Sequence, residues 1–101
     1  MKAISITKNN FDEIKERDKV LVDFYADWCG PCRALAPVIE EIAEERDDVT
    51  VGKINVDNEQ ELASRFGVFS IPTLVVLEGG KEVRRLVGSR PKAKLIEFLE
   101  G

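Results

Sequence analysis

The sequence predicts an α/β fold in which a central mixed five-stranded sheet is flanked by four helices. Three observations carry that prediction. The run Val20-Leu21-Val22-Asp23-Phe24-Tyr25-Ala26 is almost continuously apolar, which suits a central strand buried on both faces. Segments with apolar residues at helical spacing stand between the strand patterns. The resulting order, strand-helix-strand-helix-strand-helix-strand-strand-helix, requires crossovers and mostly parallel pairing early, and an antiparallel hairpin at the end. At 101 residues the chain accommodates one domain with a real core and not two, so a single domain over residues 1–101 is expected.

Ala3 to Ile6 alternates small or apolar with polar residues and reads as a short first strand. Asn10, with Glu13 three positions on, has the form of a capping box for a helix ending near Asp18, with Phe11 and Ile14 on one face. In the second strand, Val20 to Ala26, the anomaly is Asp23. A carboxylate among bulky apolar neighbours is costly to bury ionised, so a buried Asp23 should have a raised pKa and a polar partner nearby. The alternative is an Asp23 facing solvent at the strand end. Its apolar neighbours favour burial, and from there it can act as a base toward Cys32.

The next helix starts at Pro31, since proline supplies a helical φ and lacks only an N–H that an early helical position leaves unbonded. Leu35, Val38, Ile39 and Ile42 form its apolar face, with Glu40, Glu41, Glu44 and Glu45 alongside. Pro37 falls inside and should kink it. Asp47 and Asp48 close it, and a strand resumes from Val49 to Val56. Lys53 in that strand has two readings of equal standing. It is a solvated edge charge, or, if this strand neighbours the second, the partner of Asp23. Asn58 and Glu61 form a capping pair for a short helix holding Leu62, Ala63 and Phe66, and Gly67 stops it.

Ile71-Pro72-Thr73 introduces the strand Leu74 to Leu77. Proline at the mouth of an apolar strand is confined to an edge, a first position or a special turn such as a cis bond, and spacing alone makes cis the minority option. Glu78-Gly79-Gly80-Lys81 reads as a hairpin turn returning the chain as Glu82 to Val87. Gly88 breaks that strand. Pro91 suits the first turn of a last helix with Leu95, Ile96, Phe98 and Leu99 on its core face.

The chemistry points to Cys29-Gly30-Pro31-Cys32, where strand gives way to helix. Two thiols at this spacing can close a small disulfide ring if the backbone turns sharply, as a first helical turn does. Cys29 falls at the helix N-terminus, where unpaired N–H groups and the macrodipole favour thiolate, and should be the exposed nucleophile. Cys32, one turn in, should be more shielded and resolve the mixed disulfide. A structural zinc site needs four ligands, and the chain has two Cys and no His. A purely structural role is weak too, because so short a loop constrains the unfolded chain little.

Fifteen Lys and Arg against nineteen Asp and Glu give a net charge of −4, with the basic residues scattered, so nucleic acid is not an expected partner. The stretch Met1 to Thr7 is polar again by Lys8 and lacks the apolar core of a signal peptide, and no segment is long enough to span a bilayer. The expected location is the reducing cytoplasm, where disulfides are mostly transient and catalytic.

With Trp28-Cys29-Gly30-Pro31-Cys32 after Val22-Asp23-Phe24-Tyr25-Ala26, and Ile71-Pro72-Thr73 after Gly67, the whole chain closely resembles the thioredoxin family. The resemblance implies the thioredoxin fold and reduction of protein disulfides by dithiol exchange, maintaining cell redox homeostasis. It implies that Cys29 attacks, Cys32 resolves, Asp23 is the buried carboxylate and Lys53 its partner. It further implies that Pro72 is cis and packs on the disulfide, while Trp28, Gly30, Pro31, Ile71, Gly88 and Ser89 line the client-docking surface with it. No metal or organic cofactor is implied. The partners implied are a thioredoxin-reductase-like electron donor and disulfide-containing clients, and a monomer is expected. The Gly-Pro dipeptide is that of reducing members, whereas related oxidases and isomerases usually carry His before the second cysteine. Two positions depart from the common pattern. Tyr25 stands where tryptophan is frequent, and Phe69 where a basic or polar residue is frequent; Phe69 either enlarges the apolar docking face or is buried.

Overall fold

Side chains along a strand alternate between the two faces of a sheet, and the apolar run of the second strand divides accordingly. In the computed structural model, which describes residues 2–101 and leaves Met1 outside, the elements are β1 (Ile4–Ser5), α1 (Phe11–Ile14), β2 (Lys19–Tyr25), α2 (Gly30–Glu45), β3 (Thr50–Asn55), α3 (Gln60–Arg65), β4 (Thr73–Glu78), β5 (Lys81–Val87) and α4 (Lys92–Glu100). Their sheet order is β1-β3-β2-β4-β5, so β2 is the middle strand. It pairs parallel with β3 and antiparallel with β4, and β4 continues antiparallel to β5. The expected mixed five-stranded sheet with four helices is what forms.

The even-numbered residues of β2 (Val20, Val22, Phe24) pack with Phe11 and Ile14 of α1 and Leu62 and Ala63 of α3. On the opposite face Leu21 packs with Leu35, Ile39 and Ile42 of α2 and Leu95 and Leu99 of α4. Each helix pair thus covers one face, and Asp23 and Tyr25, odd-numbered like Leu21, belong to the α2 side. Phe66 closes the first core from its loop, its ring 5.7 Å from that of Phe11 and 5.3 Å from that of Phe24. Gly52 has no side chain because there is no room for one: a Cβ there would stand 2.8 Å from Ile6 Cγ1 and closer still to its Cδ1.

Both expected capping boxes are absent. Helix α1 ends at Ile14, a turn short of Asp18, and the Asn10 side chain makes no cap bond. Its Oδ1 instead accepts from the Thr7 N–H (2.8 Å) and its Nδ2 donates to the Ser5 carbonyl (3.0 Å), which ties the end of β1 to the loop. Helix α3 begins at Gln60 behind Glu59, not Asn58, again with no side-chain cap. The Glu59 carboxylate accepts from the Lys8 N–H at 2.9 Å, a long-range bond that a local pattern could not signal. Gly67 does end α3: at φ 63°, its N–H reaches the Ser64 carbonyl and that of Val68 reaches Ala63, both at 3.0 Å, the paired bonds of a Schellman stop. Helix α2 runs unbroken through Pro37, which lies on its exposed side. The hairpin turn has positive φ at Gly79 (60°) and Gly80 (81°), as a two-residue primed turn requires. Pro91 stands one position earlier than expected, at the N-cap of α4.

Candidate functional site

Strand β2 ends at Tyr25 and the chain turns through Ala26-Asp27-Trp28 before α2 begins, the turn closed by the Cys29 N–H on the Ala26 carbonyl (3.2 Å). Cys29 is the N-cap of α2, with extended φ,ψ of −88° and 112°, and Pro31 falls in the first turn. The Sγ of Cys29 accepts from the Cys32 N–H at 3.2 Å, so a sulfur occupies the place that a capping oxygen usually takes. Cys29 and Cys32 are joined as a disulfide with their Cα atoms 5.2 Å apart. The expected exposure of Cys29 is not found in the disulfide state: both cysteines are buried, Cys29 at 5% exposed and Cys32 at 3%. What separates the two sulfurs is position: Cys29 Sγ stands before the helix and Cys32 lies inside its first turn.

One further segment reaches the disulfide, and two others are tied to it or to the adjoining turn. The Ile71–Pro72 bond is cis, and the Ile71 carbonyl oxygen lies 3.9 Å from Cys29 Sγ. Gly88 (φ 96°) donates its N–H to the Pro72 carbonyl at 2.8 Å, bringing the end of β5 and the exposed Ser89 alongside. Trp28 is 68% exposed and is anchored by its Nε1–H to Asp57 Oδ2 at 2.8 Å. Gly30 and Pro31 are exposed on the helix start. Phe69 is 98% exposed, so of its two readings burial is excluded.

Asp23, two residues before Tyr25 on β2, is 1% exposed, which settles its two readings in favour of burial. Its carboxyl pKa is pushed up from 3.8 to about 7, chiefly because burial penalises the charged form, with the Lys53 charge acting in the opposite sense. Lys53 stands directly across from Asp23 in the β2–β3 register. It is half-buried, and its Nζ lies 4.7 Å from the centroid of the Tyr25 ring. The expected polar partner therefore acts on Asp23 through its charge at a distance, and Asp23 Oδ1 has no hydrogen bond. Tyr25, Lys53, Cys32, Arg33, Ala36, Ala26 and Asp27 line a cleft of about 230 Å³ beside the inner sulfur.

The pattern in the sequence did not disclose Asp57, which holds Trp28 across 29 residues, or the Tyr25–Lys53 stack. Spacing carries no signal for the first; the second was readable once β2 and β3 were taken as neighbours. Among the described residues no cluster of three or more Cys, Asp and Glu side chains could hold a metal ion.

The family model described as Thioredoxin matches residues 2–101. The chain is 52% identical over 95 residues to a thioredoxin of Alicyclobacillus acidocaldarius, covering 92% of this chain and 90% of that protein. It is 48% identical over 100 residues to a bifunctional thioredoxin reductase/thioredoxin of Mycobacterium leprae, covering 96% of this chain and 22% of that protein. A solved structure of a mutant thioredoxin from Halobacterium salinarum superposes with a TM-score of 0.93 at 42% identity, over 98% of this chain and 88% of that one.

Proposed function

Because the chain belongs to the thioredoxin family of protein disulfide oxidoreductases, we propose that it works as one domain in the reducing direction, passing electrons to disulfides of client proteins. The observation that carries this reading is the N-cap sulfur: Cys29 Sγ receives the Cys32 N–H at the positive end of α2. The same hydrogen bond and dipole that cap the helix in the disulfide stabilise an anion there once the bond is reduced.

In the exchange, Cys29 thiolate attacks one client sulfur and the client S–S bond breaks. The other client sulfur leaves as a thiolate and takes a proton. Cys32 then gives its proton to the Asp23 carboxylate and attacks Cys29 Sγ. The mixed disulfide breaks, the second client thiolate departs, and Cys29 and Cys32 are left bonded while two electrons have moved to the client. Asp23 suits this step because its pKa near 7 lets it hold or release a proton at neutral pH. Lys53 favours its charged form.

On this reading clients dock on Trp28, Gly30, Pro31, Ile71, Pro72, Gly88 and Ser89; the Ile71 carbonyl at Cys29 Sγ and the Gly88 N–H on the Pro72 carbonyl support it. A thioredoxin-reductase-like donor restores the dithiol; the Mycobacterium leprae relative, named as a fusion of the two activities, supports that pairing. The reading extends to a monomer working in the cytoplasm, whose reducing poise suits a protein that donates electrons to disulfides. Among the described residues no helix is long and apolar enough to cross a membrane.

Insulin reduction followed by turbidity, with dithiothreitol as donor, tests the activity. The protein should accelerate precipitation well beyond dithiothreitol alone, and no acceleration would defeat the reading. Cys32→Ser should hold clients as mixed disulfides on Cys29.

A further inference from the structure

Residues two apart on a strand share a face, so Asp23 and Tyr25 both project to the side of the sheet that α2 covers. Lys53 on β3 stands between Ser5 of β1 and Asp23 of β2 in the register, with the Tyr25 ring on the same side. Its ammonium takes the ring, at 4.7 Å from the centroid, and Asp23 Oδ1 stays buried without a partner. To pair with a carboxyl that is 1% exposed the ammonium would have to give up its water, whereas at the cleft wall it keeps water and gains the ring face, so the ring tips a balance that charge attraction alone would give to Asp23.

We propose that Tyr25 is a positioning residue whose ring face holds the Lys53 ammonium at the wall of the cleft and off the Asp23 carboxyl, leaving that acid able to take the Cys32 proton. The proposal rests on the reading of Asp23 as the proton acceptor. The other groups around Asp23 do not substitute for Lys53. Its register neighbour on β4 is the apolar Leu74. From the loop and the start of α2 come Asp27 and Arg33, and the Arg33 guanidinium is committed to the Asp27 main-chain carbonyl at 2.9 Å. An Asp23 clamped by Lys53 would stay ionised and unable to return its proton when the disulfide is reduced again; an Asp23 without that clamp cycles.

The test uses the full chain in its disulfide form, where the cysteines do not titrate, and follows the Asp23 carboxyl by ¹³C NMR against pH. Replacing the ring by an aliphatic side chain, in Tyr25→Leu and independently in Tyr25→Ile should one of them fold poorly, should let the ammonium close on Asp23. The titration midpoint should then fall by about one unit or more, the usual effect of an opposite charge within 4–6 Å. Tyr25→Phe, which keeps the ring face, should titrate like the parent. In a Lys53→Met background the loss of the ring should move the midpoint no further. An unchanged or raised midpoint in the ring-free variants overturns the proposal. So does an equal fall in the Lys53→Met background, because the ring would then be acting by excluding water. No turnover enters this readout, so its failure leaves the reductase reading standing, while failure in the insulin assay sinks that reading whatever the midpoint does.

Discussion

Asp23→Asn should make the protein more stable and less active, and the two effects come from one cause. The carboxyl is 1% exposed and its pKa rises from 3.8 to about 7 on folding. Well below pH 3.8 the acid is protonated in both folded and unfolded chains and contributes no pH dependence. Between about pH 4 and 7 the unfolded chain releases the proton and the folded one retains it, so stability falls as pH rises. Above about pH 7 both states are ionised and the full cost stands. A shift of about three units at about 1.4 kcal/mol per unit puts that cost at about 4 kcal/mol. For a domain whose total stability is of order 5–15 kcal/mol this is a large fraction. The asparagine amide resembles the protonated acid in shape and charge, so urea midpoints of the disulfide form, compared from pH 4 to 8.5, should diverge. The variant should match the parent near pH 4 and exceed it by about 2–4 kcal/mol above pH 7. A difference that is constant across this range, or a variant less stable at pH 8, would refute the reasoning, for then burial of charge is not what Asp23 costs. In the insulin assay the same variant should be slower at neutral pH, having no base for Cys32.

Four further substitutions probe the frame and the docking surface. Gly52→Ala should lower stability by about 1–3 kcal/mol in urea, since its Cβ overlaps Ile6 and the sheet must shift to admit it. Phe24→Ala, at a fully buried position against Phe66, should cost about 3–5 kcal/mol by the same measurement. Asp57→Ala removes the acceptor of the Trp28 indole N–H; because Trp28 is the one tryptophan, fluorescence anisotropy should drop, and an unchanged value would show that the bond does not restrain the ring. Phe69→Lys should leave the unfolding midpoint within about 0.5 kcal/mol of the parent, as nothing packs on a side chain 98% exposed, whereas its rates toward different clients should change.

Periodicity made the sheet and helices legible because β2, α2 and α4 bury apolar residues at intervals that only one kind of element can satisfy. The helix starts were less so. Asn10 stands where a capping residue stands, yet its neighbourhood offered other bonds, the Thr7 N–H and the Ser5 carbonyl; at α3 the cap position falls to Glu59, whose carboxylate serves a donor 51 residues away. Local sequence registers which bonds a side chain can make; which it makes is decided by what the fold brings near. The site divides the same way. Cys29, Cys32 and Pro31 follow from one local turn, whereas the contacts of Trp28 with Asp57 and of Cys29 Sγ with Ile71 require segments that only the finished sheet aligns. The burial of Cys29 has a related origin, since Ala26, Val56 and Ile71 from separate stretches of the chain pack with the two cysteines.

Parity along β2 ties the cost of Asp23 to its use. A strand shifted by one residue would exchange its faces, sending Asp23 into the core of Phe11, Ile14 and Leu62 and turning Phe24 toward α2. In the observed register the face reads Leu21, Asp23, Tyr25, running from the packed centre of α2 to the cleft at its N-terminus. Toward Leu21 the carboxyl would have no route to water, and beyond Tyr25 it would be solvated, with a pKa too low to hold a proton at neutral pH. Position 23 is the place on that face where a carboxyl is desolvated enough to titrate near 7 and still adjoins residues that line the cleft beside Cys32. If Asp23 takes the Cys32 proton as proposed, the penalty to folding and the fitness for that step are the same desolvation, and a substitution that relieves one must forfeit the other.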